Sequence, residues 1–257
     1  MSSTDGYVSG PPHPTSGVVA ISPAETSKLL GAIIVAAKEH APKSIVAFDL
    51  DSTLLNNSPR QSQILREYGK SAGVEPLCQS APAHWDSWDF KAPMVRAGLS
   101  EFQAADHLEP FTEFWRRRFF TSEYCQVDVA TPGAPEFVNE LVRAGAQICY
   151  LTGRQEDMRD GTVACFKREG FPIPGSESVY LWMKPTLDEH DDAFKLASYK
   201  ELKKRGTVVA AFDNEPTHIN GYKETFPDAA VVHLDTDCSP RPVKVQSGIP
   251  SVKNFER

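Results

Sequence analysis

Two acidic side chains and a hydroxyl group lie close together early in the chain. Asp49, Asp51 and Thr53 directly follow an apolar run at residues 45–48. Two buried carboxylates two positions apart repel each other unless a positive group lies near both. A hard divalent cation with oxygen ligands, such as Mg2+, removes that repulsion. The alternative is an ordinary polar turn or helix cap, because Asp, Ser and Thr often bind backbone donors at such places.

The apolar run that precedes these residues predicts a parallel strand that is covered on both faces. In open α/β sheets, ligands bind just outside the carboxyl ends of such strands. Four later apolar runs predict further strands, at residues 147–152, 179–183, 207–213 and 229–235. One helical pattern begins near residue 22, before the first strand, and others begin near residues 136, 156 and 193, between the strands. The alternation of strands and helices predicts an α/β fold with a Rossmann-like parallel sheet and helices on both faces.

The segment Phe48-Asp-Leu-Asp-Ser-Thr-Leu54 resembles the first motif of the haloacid dehalogenase (HAD) superfamily. The resemblance implies that Asp49 is a nucleophile and that Asp51 is a general acid and base. Dehalogenases of the superfamily lack a carboxylate at the place of Asp51, because halide needs no proton. The presence of Asp51 therefore favours phosphoryl transfer.

Three later segments resemble the remaining HAD motifs in chain order. Thr152 and Gly153 at the end of the second predicted strand are similar to the second motif, which holds the phosphoryl group. In the family, the third motif is a lysine that lies one helix before the fourth strand. Lys195 is favoured because it lies near the start of a helix, and Lys184 is the competitor.

The fourth motif supplies acidic metal ligands, and Asp213 matches it at the end of the fourth strand. The sequence departs here from the commoner paired Asp residues. The second contribution therefore stays open between Asn214, Glu215 and, through a water molecule, Asn220.

Together these resemblances imply one phosphoryl-transfer site that uses Mg2+. Its predicted members are the catalytic residues Asp49, Asp51, Thr152 and Lys195, the phosphate-binding or substrate-binding residues Thr53, Gly153 and Arg154, and the metal ligands Asp49, Asp51, Asp213, Asn214 and Glu215.

A long stretch separates the first two predicted strands, although a parallel crossover needs only about a dozen residues. Residues 56–130 are therefore predicted to form an inserted helical cap, with helical patterns near 61–69, 99–107 and 111–120. Residues 18–55 and 131–257 form the predicted core, and 1–17 a disordered tail. The aromatic residues of the insert predict its own core, and residues 116–118, all Arg, predict either a solvated face or contacts with a substrate anion.

The composition limits the classes of partner and compartment. A net charge of -7 without a long basic run argues against nucleic acid or an anionic membrane as the main partner. Five scattered cysteines indicate neither a disulfide framework nor a CxxC metal site, so a reducing cytoplasm is expected. The Pro-rich tail of residues 239–257, which follows the last predicted strand, is expected to lie over the core surface.

The predicted function is Mg2+-dependent hydrolysis of a small phosphorylated metabolite through an aspartyl-phosphate. One alternative is a sugar phosphomutase, an isomerase built on the same core. A second alternative is a non-catalytic phosphate-binding or interaction module. The sequence does not identify the substrate or the oligomeric state.

Overall fold

The computed structural model describes residues 17–86 and 88–257. Apart from Gly17, the predicted disordered tail lies outside the described residues. Within the described ranges, every helix is too short or too polar to cross a membrane.

The strands and helices alternate along much of the chain. The strands are β1 (Val19–Ala20), β2 (Ser44–Phe48), β3 (Leu55–Asn56), β4 (Val129–Ala130), β5 (Gln147–Gln155), β6 (Val179–Lys184), β7 (Thr207–Asp213), β8 (Ala230–Leu234) and β9 (Pro250–Val252). The helices are α1 (Pro23–Glu39), α2 (Ser58–Ala72), α3 (Lys91–Arg96), α4 (Glu101–Phe119), α5 (Ser122–Cys125), α6 (Ala134–Arg143), α7 (Arg159–Glu169), α8 (Asp191–Arg205) and α9 (Pro216–Thr225).

One parallel sheet forms the centre of the molecule, with the strand order β1-β9-β8-β7-β2-β5-β6. The five strands predicted from apolar runs are β2 and β5 to β8, so the predicted α/β fold with a parallel sheet is confirmed. In the register, Phe48 lies beside both Tyr150 and Phe212. The residues that follow these three positions therefore meet at one edge of the sheet.

Helices cover both faces of the sheet, because successive side chains of a strand point to opposite faces. Val46 and Phe48 of β2 pack in one hydrophobic cluster with residues of α1, α6 and α7. Ile45 and Ala47 pack in another cluster with residues of α8 and α9. All four side chains are fully buried, which explains why β2 is continuously apolar.

The helices α2 to α5 lie between two short strands, β3 and β4, that pair with each other in an antiparallel ladder. The aromatic residues Trp85, Trp88 and Trp115 of this segment are buried, but they belong to the same hydrophobic cluster as Val46 and Phe48 of β2 and do not form a separate core. Trp115 stacks on Phe119 with a ring-centroid distance of 4.4 Å. The division of the chain into a core and a cap stays a prediction.

One expectation about secondary structure was wrong, and two predicted helical patterns proved to belong to a single helix. The segment after β8 does more than cover the core, since β9 joins the sheet between β1 and β8. The separate helical patterns near 99–107 and 111–120 form one helix, α4, with Pro110 inside it. Proline in a helix removes one hydrogen bond, and here the buried side chains of Ala104, Phe111 and Trp115 anchor the helix on both sides of Pro110.

The contact between α5 and α7 gives a prediction about stability. A Cβ atom on Gly161 would lie 2.0 Å from the Ser122 carbonyl oxygen, whereas one on Gly31 of α1 would meet nothing within 4 Å. We expect Gly161→Ala to destabilise the fold by about 1–3 kcal/mol through overpacking. Gly31→Ala is the matched control and should stabilise it by about 0.4–1 kcal/mol, because it lowers the entropy of the unfolded chain. Urea denaturation measures both; equal effects would contradict the packing at α5 and α7.

Candidate active site

The loop after β2 carries the first two acidic residues of the site. The backbone N–H of Asp49 donates to the Phe212 carbonyl oxygen of β7 at 3.0 Å, which places Asp49 beside the end of that strand. Beyond Asp51 the chain reverses at Ser52, whose φ of 59° lies in the left-handed region. The N–H of Thr53 then closes the turn on the Leu50 carbonyl oxygen at 3.1 Å.

A buried lysine joins the carboxylates at the ends of β2 and β7. The Lys195 Nζ atom donates to Asp49 Oδ1 at 2.7 Å and to Asp213 Oδ2 at 2.5 Å. All three residues are buried. Burial lowers the pKa of Lys195, but Asp213 and Asp49 raise it well above its usual range. The lysine is therefore an ammonium ion at neutral pH.

The two carboxylates bound to Lys195 differ in their other partners, since Asp213 Oδ1 also lies 3.6 Å from His218 Nδ1. Burial raises the pKa of Asp49 to about 7; Lys195 opposes this rise, and the Asp213 carboxylate adds to it. A further cation beside Asp49 would stabilise the ionised form of Asp49.

The donor chemistry of these residues therefore fits a hard ion such as Mg2+, which prefers oxygen ligands and keeps several waters. In the described part of the chain, no set of three or more Asp, Glu, His or Cys side chains is arranged for a metal ion. Backbone oxygen and water would have to complete such a site.

The three residues left open as the second metal ligand are bound to other groups. The Asn214 amide accepts from Thr53 Oγ1 at 3.2 Å and donates to the Asp237 carbonyl oxygen at 2.7 Å. The Glu215 carboxylate accepts from the N–H and the hydroxyl of Ser239, both at 2.7 Å. The Asn220 amide donates to the Lys244 carbonyl oxygen at 2.8 Å.

Of these three, Asn214 and Glu215 line the cavity at the site. Their side chains connect it to the segment after β8.

Asp51 lies in a cluster of four charged residues that the sequence analysis did not find as a group. Arg154 donates from Nε to Asp51 Oδ2 and from Nη2 to Asp51 Oδ1, both at 2.8 Å. Arg60 of α2 donates to the same Oδ1. Both arginines also pair with Asp128, at 3.0 Å for Arg60 and 2.6 Å for Arg154. Burial raises the pKa of Asp51, but the two arginines hold it well below its usual range.

The irregular end of β5, where the register with β6 shifts between Leu151 and Gln155, provides a hydroxyl and a close backbone approach. Thr152 is buried, and its Oγ1 accepts from the N–H of Arg154 at 3.2 Å. A Cβ atom on Gly153 would lie 2.7 Å from the Asp191 carboxylate, so glycine permits the approach of α8. Thr152, Gly153 and Arg154 line the same cavity as Asp49, Asp51 and Lys195.

Lys184, the competitor for the third motif, lies apart from the two strand-end carboxylates. Its Nζ atom donates to Asp191 at 2.6 Å and to the carbonyl oxygens of Leu187 and Glu189 at 3.3 and 2.9 Å. Lys184 is therefore committed to the loop before α8. The structure brings Lys195, and not Lys184, into contact with Asp49.

The cavity above these residues has a volume of about 290 Å3. One wall is apolar and is formed by Trp88, Phe119, Phe120 and Met158. The Arg residues at 116–118 are not part of its lining. The position of Arg116, which lies 3.5 Å from Glu113 on the surface of α4, agrees with the solvated-face interpretation.

The opposite wall contains further charged residues that sequence reasoning missed. Arg241 binds both oxygens of Asp192 at 2.9 Å, and His218 Nε2 lies 2.8 Å from Asp192 Oδ1. Burial and Lys195 lower the pKa of His218, but Asp213 and Asp192 raise it to about 9. The acidic start of α8 was the available signal, because it predicts positive partners as well as a favourable helix dipole.

A family model described as "HAD superfamily, subfamily IIIB (Acid phosphatase)" matches residues 100–214. The matched range includes Thr152, Lys195 and Asp213 and leaves out Asp49 and Asp51. The match confirms the resemblance to the HAD superfamily and to its phosphatases. No curated protein matches the chain at a significant level.

Several solved structures are similar to the chain at low sequence identity. A class C acid phosphatase from Bacillus anthracis with tungstate bound is 18% identical, with a TM-score of 0.41, over 75% of this chain and 60% of its own. The protein CbbY from Rhodobacter sphaeroides in complex with phosphate is 15% identical, with a TM-score of 0.46, over 84% of this chain and 95% of its own. The chain thus spans 60% of the first of these relatives.

Proposed function

Because the chain is a phosphatase-type member of the haloacid dehalogenase superfamily, we propose that it hydrolyses phosphate monoesters through an aspartyl-phosphate. The observation that carries this proposal is the buried contact of Lys195 with both Asp49 and Asp213 at the floor of the cavity. A carboxylate placed between an ammonium ion and an open cavity can act as a nucleophile. The proposed substrate is a small phosphorylated metabolite, since the cavity is small.

In the first proposed step, an Asp49 oxygen attacks phosphorus and the bond to the leaving oxygen breaks. The Lys195 ammonium stabilises negative charge on the non-bridging oxygens, and the Thr152 hydroxyl and the backbone after it hold the phosphoryl group. Thr53, Gly153 and Arg154 support this binding site. Each of these groups is in place before the substrate arrives, so little reorganisation is needed.

Asp51 has two proposed duties in the reaction. It donates a proton to the leaving alkoxide in the first step, for which it must first take up a proton although Arg60 and Arg154 hold its pKa low, and it removes a proton from water in the second. A group that serves both half-reactions must change from acid to base between them.

We propose Mg2+ as the cofactor, held by the Asp49 carboxylate, the backbone carbonyl of Asp51 and the Asp213 carboxylate. When bound, it would cancel the repulsion between the nucleophile and the phosphate and orient both. Asn214 and Glu215 would act on this site through the hydrogen bonds described above.

The charges of the cavity favour a hydrolase over the alternative, a sugar phosphomutase. A mutase must also hold a second phosphate group. In the part of the lining that the structure describes, Arg154, Lys195 and Arg241 all form ion pairs with carboxylates. The transferring phosphate already competes with these carboxylates for Lys195 and Arg154, so a second phosphate would have to displace a further carboxylate.

The remaining parts of the proposal concern the domain division, the cellular compartment and the partners of the protein. We propose that residues 56–130 act as a cap over a core of residues 18–55 and 131–257. We further propose a cytoplasmic protein without a nucleic-acid or membrane partner, because the composition favours neither.

The test of the proposed function is the release of inorganic phosphate from a panel of phosphate monoesters in the presence of Mg2+. Release from several monoesters supports a hydrolase. Conversion of one sugar phosphate into its isomer, without release of phosphate, would instead support the mutase. If the protein binds inorganic phosphate but leaves every ester intact, it is a phosphate-binding module.

A comparison of two buried lysines tests the third motif. We expect Lys195→Ala to lower kcat. The transition state should lose about 3 kcal/mol of stabilisation, which is the scale of one preorganised electrostatic donor. Lys184→Ala is the matched control, because Lys184 is also buried and also loses a carboxylate partner. Its effect on kcat should be much smaller. Both rates are measured per folded molecule, after thermal melting has established the folded fraction; a larger effect for Lys184 would move the motif to that residue.

A further inference from the structure

A ring of four buried charges joins the segment between β3 and β4 to the loop that carries Asp51. Asp51 and Arg154 belong to the sheet side of the ring, and Arg60 and Asp128 belong to residues 56–130. Each arginine pairs with both aspartates, so the ring is closed. Its two positive and two negative charges balance.

The ring members are more deeply buried than ordinary ion pairs. The side chains of Arg60 and Asp128 are fully buried, whereas that of Asp51 is 25% exposed and lines the cavity. Removal of one partner from a buried pair leaves an uncompensated charge, which strongly destabilises a protein. The ring therefore has one exposed member, and that member faces the site.

Arg60 also connects this ring to the apolar wall of the cavity. Its Nη1 donates to the Phe119 carbonyl oxygen at 2.9 Å, and its guanidinium carbon lies 3.8 Å from the centroid of the Phe119 ring. Phe119 is the last residue of α4 and lines the cavity. A single side chain thus contacts α4, Asp128 and Asp51.

We propose that Arg60 and Asp128 are positioning residues that fix the Asp51 carboxylate from the insert side. This inference rests on the proposed phosphatase function. Arg154 binds both oxygens of Asp51 from the sheet side, and Arg60 binds Oδ1 from the opposite side. Without Arg60 and Asp128, the Asp51–Arg154 pair loses its contacts with the insert, and the two side chains can shift together away from the leaving group.

The proposal predicts an effect that depends on the leaving group. An aryl phosphate releases a stable phenolate and needs little protonation, whereas an alkyl phosphate depends on a well-placed acid. Misplacement of Asp51 should therefore slow the hydrolysis of alkyl phosphates more than the hydrolysis of aryl phosphates. A purely structural loss would lower both rates equally, because it only reduces the amount of folded enzyme.

The experiment uses the double variant Arg60→Met with Asp128→Asn in the full chain. This pair removes one positive and one negative charge and leaves the Asp51–Arg154 pair intact. We expect the ratio of kcat for phenyl phosphate to kcat for an alkyl phosphate to rise about tenfold, a part of the usual contribution of general acid catalysis. The KM values should change little. Arg60→Lys, which keeps the charge, should raise the ratio less and provides a second variant if the double variant does not fold.

Arg66→Met is the matched control on the same helix. Arg66 donates to Ser62 and to the Ser80 carbonyl oxygen and has no contact with the ring. In this variant, the ratio of kcat for phenyl phosphate to kcat for the alkyl phosphate should equal the ratio in the unmodified protein. Equal losses for both substrates, or an unchanged ratio in both ring variants, would overturn the proposal. If the unmodified protein hydrolyses neither ester, the proposed function itself fails.

Discussion

Replacement of Asp49 by Asn is expected to reduce turnover to the background rate. The amide keeps the shape of the carboxylate and its place beside Lys195, but it cannot attack phosphorus. Loss of a covalent nucleophile costs on the order of 10^4-fold or more in kcat. No phosphate should become attached to the protein, as measured by mass spectrometry of the intact chain after mixing with an aryl phosphate.

The matched control is Asp51→Asn, which keeps the nucleophile and removes the acid and base. An aryl phosphate should still phosphorylate Asp49 in this variant, because its leaving group needs little protonation. Hydrolysis of the aspartyl-phosphate should then be slow, so the labelled protein should accumulate. A sugar phosphate should label it far less.

Peptide mapping locates the label in both variants. The expected result is label at Asp49 in the Asp51 variant and none in the Asp49 variant. A label at Asp235, which lies in a similar Asp-Thr-Asp segment after β8, would show that the wrong segment has been assigned as the nucleophile. A label on a cysteine would do the same.

Removal of divalent cations is expected to abolish activity. Lys195 and His218 are the positive groups beside Asp49 and Asp213, and an incoming phosphate would add two negative charges. A divalent cation at Asp49 would offset that added charge and bring the nucleophile and the phosphate together. Phosphate release is measured after exhaustive chelation and again after Mg2+ is restored, and activity should return. Full activity in the chelated protein would contradict the metal assignment.

Asp213→Asn separates a role in metal binding from a role in folding. The variant should need a higher Mg2+ concentration for half-maximal activity. Mg2+ binding can also be followed without turnover, because a ligand that binds the folded state raises Tm. The rise in Tm with Mg2+ should be smaller in the variant than in the unmodified protein. An equal rise in Tm would indicate that Glu215 or Asn220, and not Asp213, is the metal ligand.

Sequence patterns located the strands that carry the site because their apolar runs are continuous and end in polar groups. The register of β2 with β5 and β7 then places Asp49, Thr152 and Asp213 at one edge. Lys195 could be favoured over Lys184 from its place near the start of a helix, and its contact with Asp49 agrees with that choice. Local sequence patterns were therefore sufficient to predict that these residues lie near one another.

The charged ring and the second polar wall could not be predicted in the same way. Arg60 and Asp128 meet only because β3 and β4 bring the two ends of the insert together. Each residue alone resembles an ordinary surface charge, and only the fold shows that both are buried. Arg241 was missed for a similar reason, since its partner Asp192 lies one helix and two strands earlier in the chain.

The strand order at one edge of the sheet constrains when the fold can be completed during synthesis. β1 is made early, but it pairs with β9, which lies between β1 and β8. β1 therefore has no neighbour in the sheet until β9 has left the ribosome, and such distant pairing is slow. Ser239 and Arg241 reach Glu215 at the same late stage. A nascent chain can hold Asp49, Lys195 and Asp213 and still lack the contacts of Ser239 and Arg241 beside its cavity, so activity should begin only after that segment has emerged.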